Sequence, residues 1–294
     1  MYELKLNFKP LLKQLEIYTK REAHGALSGS YLSKIKGRGL EFDSFREYNP
    51  NDDASRIDWK ASIRAQHTLV RDFREERNVE VVFILDVSSS MCYGSIDKSK
   101  AEYAAELVAA LSFAILRAGD SIGLIMFSSK VVKEIPSMSG LQQYYNILKT
   151  LGNPTLYEGG FDFENVIMHA MGKLKKGAVI IFISDFIGLK PGWETSIRTA
   201  MKKFDVIALM IRDPLDNELP SGIGRVAISD PFTENNVLFD SDKIKEKYSG
   251  INRDFIKSVN NSFMNSGGGF IMLSTEKPFT NDITRFFIRR QRVK

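Results

Sequence analysis

The run Val79-Glu80-Val81-Val82-Phe83-Ile84-Leu85 is an almost unbroken series of apolar and β-branched residues that stops on Asp86-Val87-Ser88-Ser89-Ser90-Met91. Such a run reads as a strand buried on both faces, the kind found in parallel sheets, where each strand needs a crossover to reach the next. Ligands of open α/β sheets bind just beyond the carboxyl ends of the strands, which is where Asp86, Ser88 and Ser90 fall. One carboxylate and two hydroxyls form an oxygen-only cluster that suits a hard cation such as Mg²⁺. The competing reading is that Asp86 or a serine caps the helix that follows, since Asp and Ser are favoured N-caps.

From Val79 onward strands and helices alternate, the mark of a doubly wound sheet. A helix is expected over Lys98 to Arg117, ending at Gly119, then a strand from Ser121 to Phe127 and a short edge strand from Val131 to Ile135. Helices follow near residues 141–148 and 163–173, separated by the Gly- and Pro-marked segment 152–160. Ala178 to Ser184 is a second continuous apolar strand that ends on a carboxylate, Asp185. If the two strands are parallel, Asp86 and Asp185 share one rim. A helix over 194–203, a strand over 205–211, a long helix over 244–264 and a strand over 269–273 complete the sheet, while 220–224 and 231–236 read as loops able to reach a partner. Upstream, residues 8–26 read as an amphipathic helix carrying Leu11, Leu12, Leu15 and Ile17, and 28–78 as short strands and turns. The expected organisation is an N-terminal module over 1–78 and an α/β domain over 79–294 with helices on both faces of a mostly parallel sheet.

A chain of 294 residues with 43% hydrophobic content can bury a full core. Its apolar runs fall short of the roughly 20 residues a membrane helix needs. Met1-Tyr2-Glu3-Leu4-Lys5 lacks the apolar stretch of a secretory signal, so a cytoplasmic location is expected. The single Cys92 allows no intrachain disulfide and is expected to pack as a small apolar residue. Residues 277–294 hold six Lys or Arg against one Asp, which accounts for the whole formal charge of +5. Arg285, Arg289, Arg290 and Arg292 then form a solvated face on a terminal helix that carries Phe286 and Phe287 on its other side. No basic groove with stacking aromatics is evident outside that tail, so nucleic acid is not the expected partner.

Asp86, Ser88 and Ser90, a Gly-rich loop further on and Asp185 at a second strand end together resemble the metal-ion-dependent adhesion site of von Willebrand factor A domains. In that family the first motif is Asp-x-Ser-x-Ser, a threonine follows two glycines in a later loop, and an aspartate ends the fourth strand. The resemblance implies Mg²⁺ or Mn²⁺ held by the hydroxyls of Ser88 and Ser90, with Asp86 and Asp185 acting directly or through water. An acidic side chain of a protein partner would fill the open position. One residue departs from the pattern: the loop reads Gly159-Gly160-Phe161-Asp162, with a phenyl ring where the family places a hydroxyl. Thr155, Glu158 and Asp162 are the oxygen donors that stand in for it if the loop is rebuilt.

Gly37-Arg38-Gly39-Leu40-Glu41-Phe42, Arg46-Glu47-Tyr48, Asp52-Asp53, Arg56-Ile57-Asp58-Trp59-Lys60-Ala61-Ser62, Val70-Arg71 and Glu75-Glu76-Arg77-Asn78 resemble the signature of the DUF58 family, whose members carry a von Willebrand A-like domain. Asn51 stands where the family commonly has glycine, and Asn tolerates positive φ there. This resemblance implies association with a MoxR-type AAA+ ATPase that assists folding, assembly or metal insertion of client proteins, with the chain acting as an adaptor. Arg38, Glu41, Arg46, Glu47, Asp58 and Arg71 are expected to form ion pairs that hold short strands against the sheet edge, the alternative being a docking face.

Two other functions compete with the adaptor. A Mg²⁺-dependent hydrolase or phosphatase would use Asp86 and Asp185, but the haloacid-dehalogenase pattern needs a second Asp where Ser88 stands. His24, His67 and His169 are scattered without zinc or triad spacing. No Gly-x4-Gly-Lys-Ser/Thr loop is present, and Gly267-Gly268-Gly269 precedes a strand instead of following one. No catalytic residue and no organic cofactor are therefore assigned. The second competitor is a nucleic-acid adaptor working through the basic tail.

Overall fold

A computed structural model describes residue 6 and residues 40–49, 52–75, 79–233 and 235–293. The expected helix over 8–26, His24, the Gly37-Arg38-Gly39 turn, Asn51 and the segment 76–78 lie outside the described residues. So do the side chains of Glu41 and Arg71. The described chain falls into two compact units, one within Tyr31–Asn78 and one that begins at Val79.

In the smaller unit β1 (Leu40–Glu47) pairs antiparallel with β2 (Leu69–Glu75), with a register shift between Phe42 and Ser44. The stretch read as strands and turns also holds a helix, α1 (Trp59–Ala65). Its cause is local: Asp58 accepts from the Ala61 amide at 3.0 Å as N-cap, while the Ser62 hydroxyl accepts from the Leu69 amide at 2.8 Å and ties the helix to β2. Of the expected ion-pairing residues, Arg46 makes a bidentate pair with Asp52, at 2.6 and 2.7 Å, and Asp52 also accepts from the Asn49 amide.

The larger unit is the expected doubly wound α/β fold. Six strands form one sheet: β3 (Glu80–Asp86), β4 (Ser121–Phe127), β5 (Val131–Met138), β6 (Val179–Ser184), β7 (Asp205–Arg212) and β10 (Gly269–Ser274). Their order is β10-β7-β6-β3-β4-β5, all parallel except β5, which closes one edge antiparallel to β4. Pro136 sits in that edge strand, where its missing N–H costs no ladder bond. The chain moves from β3 to one side through β4 and β5, then returns to the other side of β3 with β6. That reversal makes the carboxyl ends of β3 and β6 the switch point of the sheet.

Helices cover both faces. On one, α4 (Phe163–Lys173), α5 (Trp193–Met201) and α7 (Ser241–Asn265) bury Phe163, Ile167, Trp193, Ile197, Val259 and Phe263 against Val82, Ile84, Ile180, Phe182 and Ala208. On the other, α2 (Lys100–Arg117) packs on β3 and β4 beside α3 (Leu141–Leu151), and its Ala-rich sequence is buried almost all round. The terminal helix α8 (Thr280–Val293) buries Ile283 and Phe287, exposes Arg285 and Arg289, and pairs Arg290 with Asp205. Gly268 allows a close approach where α7 meets β10, because a Cβ there would lie 3.0 Å from the Val206 carbonyl and 3.1 Å from the Phe263 carbonyl. Residues 220–224 and, among the described residues, 231–235 are loops as expected, while β8 (Arg225–Ser229) and β9 (Asn236–Asp240) pair as an unexpected antiparallel hairpin.

Candidate functional site

Parallel register builds the site. Leu85 of β3 pairs with Ile183 of β6, so Asp86 and Ser184 come side by side at the strand ends, with Asp185 one residue beyond. The Ser184 hydroxyl donates to Asp86 Oδ2 at 2.6 Å, and the Ser88 amide donates to Oδ1 at 2.8 Å. The hydroxyls of Ser88 and Ser90 are 3.1 Å apart, and Ser90 donates to Asp185 Oδ1 at 3.1 Å. That oxygen also accepts the Ile187 amide at 2.9 Å. All four sequence-selected residues, Asp86, Ser88, Ser90 and Asp185, are thus brought together, and all are buried.

The capping reading of Asp86 and the serines is replaced by another residue. The short 3₁₀ turn Ser89–Cys92 has no side-chain cap, and α2 is capped by Ser99, which forms a reciprocal box with Glu102. Burial pushes the Asp86 carboxyl up to about 7, with the charge of Asp185 adding to it and the bonds from Ser184 and Ser88 opposing it.

Asp185 has a partner that sequence reading did not select. The Lys100 ammonium, on the first turn of α2, lies 2.7 Å from Asp185 Oδ2 and 2.9 Å from Asp216 Oδ2. Burial works against its charge, but Asp185 and Asp216 outweigh that and hold it above the usual lysine range. Asp216 belongs to the short helix α6 (Pro214–Asn217), capped by Asp213, which also accepts from the Ser95 amide at 2.8 Å and the Ser95 hydroxyl at 2.5 Å. The loops after β3 and β7 are therefore tied together twice.

The Gly-rich loop joins the rim through its backbone. The Glu158 amide donates to the Val87 carbonyl at 2.8 Å, Ser89 donates to the Gly159 carbonyl at 2.9 Å, and Gly159 donates back to the Ser89 hydroxyl at 3.0 Å. Phe161 turns into the core, where it stacks on Phe163 and meets Phe127 with ring centroids 5.7 Å apart. Of the expected substitutes, Thr155 is exposed and donates to Asn153, while Asp162 caps α4 and pairs with Lys190 at 3.2 Å. Glu158 is exposed with φ of 99°. Phe186 follows Asp185 with φ of 59°, a left-handed conformation held by its burial against Phe163 and Phe263.

Two observations weigh against a resident divalent ion at these donors. The loop that would add a hydroxyl contributes a buried phenyl ring, and an ammonium already holds Asp185. Among the described residues, no three Asp, Glu, His or Cys side chains gather at metal-ligand spacing. His67 and His169 contact Glu47 and Glu134 instead. Burial pushes the Cys92 thiol up to about 12, with Glu158 and Asp86 adding to it, so little thiolate forms near neutral pH.

An α/β fold built on one six-stranded, mostly parallel sheet with a polar cluster at its switch point defines the class of protein. Residues 44–255, more than half of the chain, match the family described as protein of unknown function DUF58, and the chain belongs to it. It is 27% identical to an uncharacterized protein of Mycobacterium tuberculosis over 286 residues, which cover 96% of this chain and 89% of that protein. Among solved structures it is similar to BatB from Bacteroides thetaiotaomicron, with a TM-score of 0.49, 19% identity, and coverage of 74% of this chain and 100% of that one. It is also similar to a von Willebrand factor type A protein from Catenulispora acidiphila, with a TM-score of 0.43, 13% identity, and coverage of 74% and 44%. Among the described residues, no helix is long and apolar enough to cross a membrane.

Proposed function

We propose that this chain is a non-enzymatic, cytoplasmic adaptor that docks protein partners on the rim beyond β3, β6 and β7. In this reading it works with a MoxR-type AAA+ ATPase in the folding, assembly or maturation of client proteins. The observation that carries the proposal is the cross-bonding of the rim: Ser95 to Asp213, Lys100 to Asp185 and Asp216, and Ser89 to Gly159. On segments fixed in this way Tyr93, Ile96 and Leu215 stand 60%, 40% and 43% exposed. Large side chains held outward by a rigid support are what a binding surface needs.

The hydrolase alternative has less support. Asp86, Ser88 and Asp185 are buried, and their oxygens are held by Ser184, Ser90, Lys100 and the amides of Ser88 and Ile187, whereas turnover needs an accessible nucleophile or base beside the reacting atom. Affinity capture with cross-linking from the source cells, under a nucleotide that stabilises ATPase assemblies, tests the adaptor reading. The wild-type chain is expected to recover an AAA+ ATPase, and Tyr93→Ala combined with Leu215→Ala to lower recovery about tenfold or more. A wild-type capture without any AAA+ ATPase contradicts it.

A further inference from the structure

We propose that the Lys100 ammonium is the resident cation of this rim, so that the rim is assembled without a divalent metal. Lys100 occupies the first position of α2, where the unpaired N–H groups of the helix make its positive end. A cation is disfavoured there, and the capping box places the acid Glu102 in the same turn. The side chain is nevertheless only 3% exposed, which removes its charge from water at a cost of several kcal/mol unless carboxylates repay it. Two do, and they come from different strand ends: Asp185 beyond β6 and Asp216 beyond β7.

The ammonium therefore serves as a junction. It neutralises Asp185 on the side opposite Ser90, and through Asp216 it holds the β7–α6 connection against the start of α2. Asp213 and Ser95 add a second tie, between the start of α6 and the segment that precedes α2. A divalent ion bound to Ser88, Ser90 and Asp185 would have an ammonium on the same carboxylate, and like charges that share a site oppose one another. The one loop position that would strengthen such a site carries Phe161, whose ring fills the core instead. Taken with the adaptor reading, a metal-free rim engages its partner through exposed apolar side chains and backbone and not by bridging an acid to a metal.

Calorimetry and thermal unfolding of the full-length protein in Mg²⁺, in Mn²⁺ and in EDTA test the proposal on the wild type alone. The expected result is no binding heat and the same unfolding midpoint in all three. Binding with a dissociation constant below about 1 mM would overturn it, since that affinity already exceeds what two hydroxyls and waters supply. Lys100→Met is expected to lower the folding constant at least about a hundredfold, because it strands a buried carboxylate. It is also expected to gain a Mg²⁺-dependent rise in midpoint of several degrees. Unchanged stability in that variant would overturn the proposal. Should Lys100→Met not fold, Lys100→Met with Asp185→Asn is expected to fold, since no uncompensated charge remains at Asp185; failure of the double variant would count against the proposal equally.

Discussion

Ser184 donates its hydroxyl to Asp86 at 2.6 Å and accepts the Phe186 amide at 2.8 Å, so one buried side chain links the end of β3 to the turn that carries Asp185. Ser184→Ala removes a hydrogen bond to the buried Asp86 carboxyl and leaves the Phe186 amide without its acceptor. A loss of about 2–3 kcal/mol is expected, read as a lower urea midpoint with unchanged slope. A change within measurement error would show that the link does not stabilise the fold.

Asp86 gives stability a pH dependence with a definite sign. Its folded-state value of about 7 lies above the usual 3.8, so between these values the folded protein holds a proton that the unfolded chain has released. This group's contribution is therefore most favourable below about pH 4, falls as pH rises towards 7, and is level above that. Asp86→Asn is expected to flatten the profile and to be the more stable protein at pH 8, by on the order of 3 kcal/mol. Denaturation at successive pH values checks this, and a wild-type profile that climbs from pH 5 to pH 8 would contradict it.

Phe161 is part of the core although it sits at a rim position. Its ring meets Phe127 and stacks on Phe163, so Phe161→Thr exchanges aromatic packing for a hydroxyl at a buried place. The expected cost is about 3 kcal/mol, seen as a lower thermal midpoint. A neutral result would place the ring outside the core and return this position to the site.

Cys92 is expected to be inert in the folded protein. Burial, Glu158 and Asp86 together push its thiol up to about 12, so little thiolate exists near neutral pH. Labelling with a thiol reagent at pH 7.5 should be slow and should accelerate when urea unfolds the chain. Fast labelling without denaturant would contradict the burial on which that value rests.

The parts of this fold that were legible in sequence are those set by long local signals. β3 and β6 announce themselves as continuous apolar runs ending on Asp86 and Asp185, and their parallel pairing brings those acids together as expected. The helix α1 was not legible because Asp58-Trp59-Lys60-Ala61 is short, and its Asp cap looks the same as a turn residue. The hairpin of β8 and β9 was hidden for a similar reason, since five-residue strands between Gly- and Pro-marked segments carry little periodicity. Ser184 was absorbed into an apolar strand. Lys100 gave no signal at all: a lysine on the first turn of a helix reads as a solvated charge, and its partners lie 85 and 116 residues away. Asp213-Pro214-Leu215-Asp216 did carry a helix-start signal, an Asp cap before Pro, but only the fold brings it to the rim.

A rim held by its own charges requires Lys100 and Asp185 to be energetically coupled, and a double-mutant cycle on the two residues measures that coupling. Lys100→Met, Asp185→Asn and the pair together are compared with wild type by urea denaturation in EDTA. The predicted coupling is at least about 2 kcal/mol, with the double variant more stable than Lys100→Met alone. A coupling below about 0.5 kcal/mol would mean that the two residues act independently and that the ammonium is not what holds the rim.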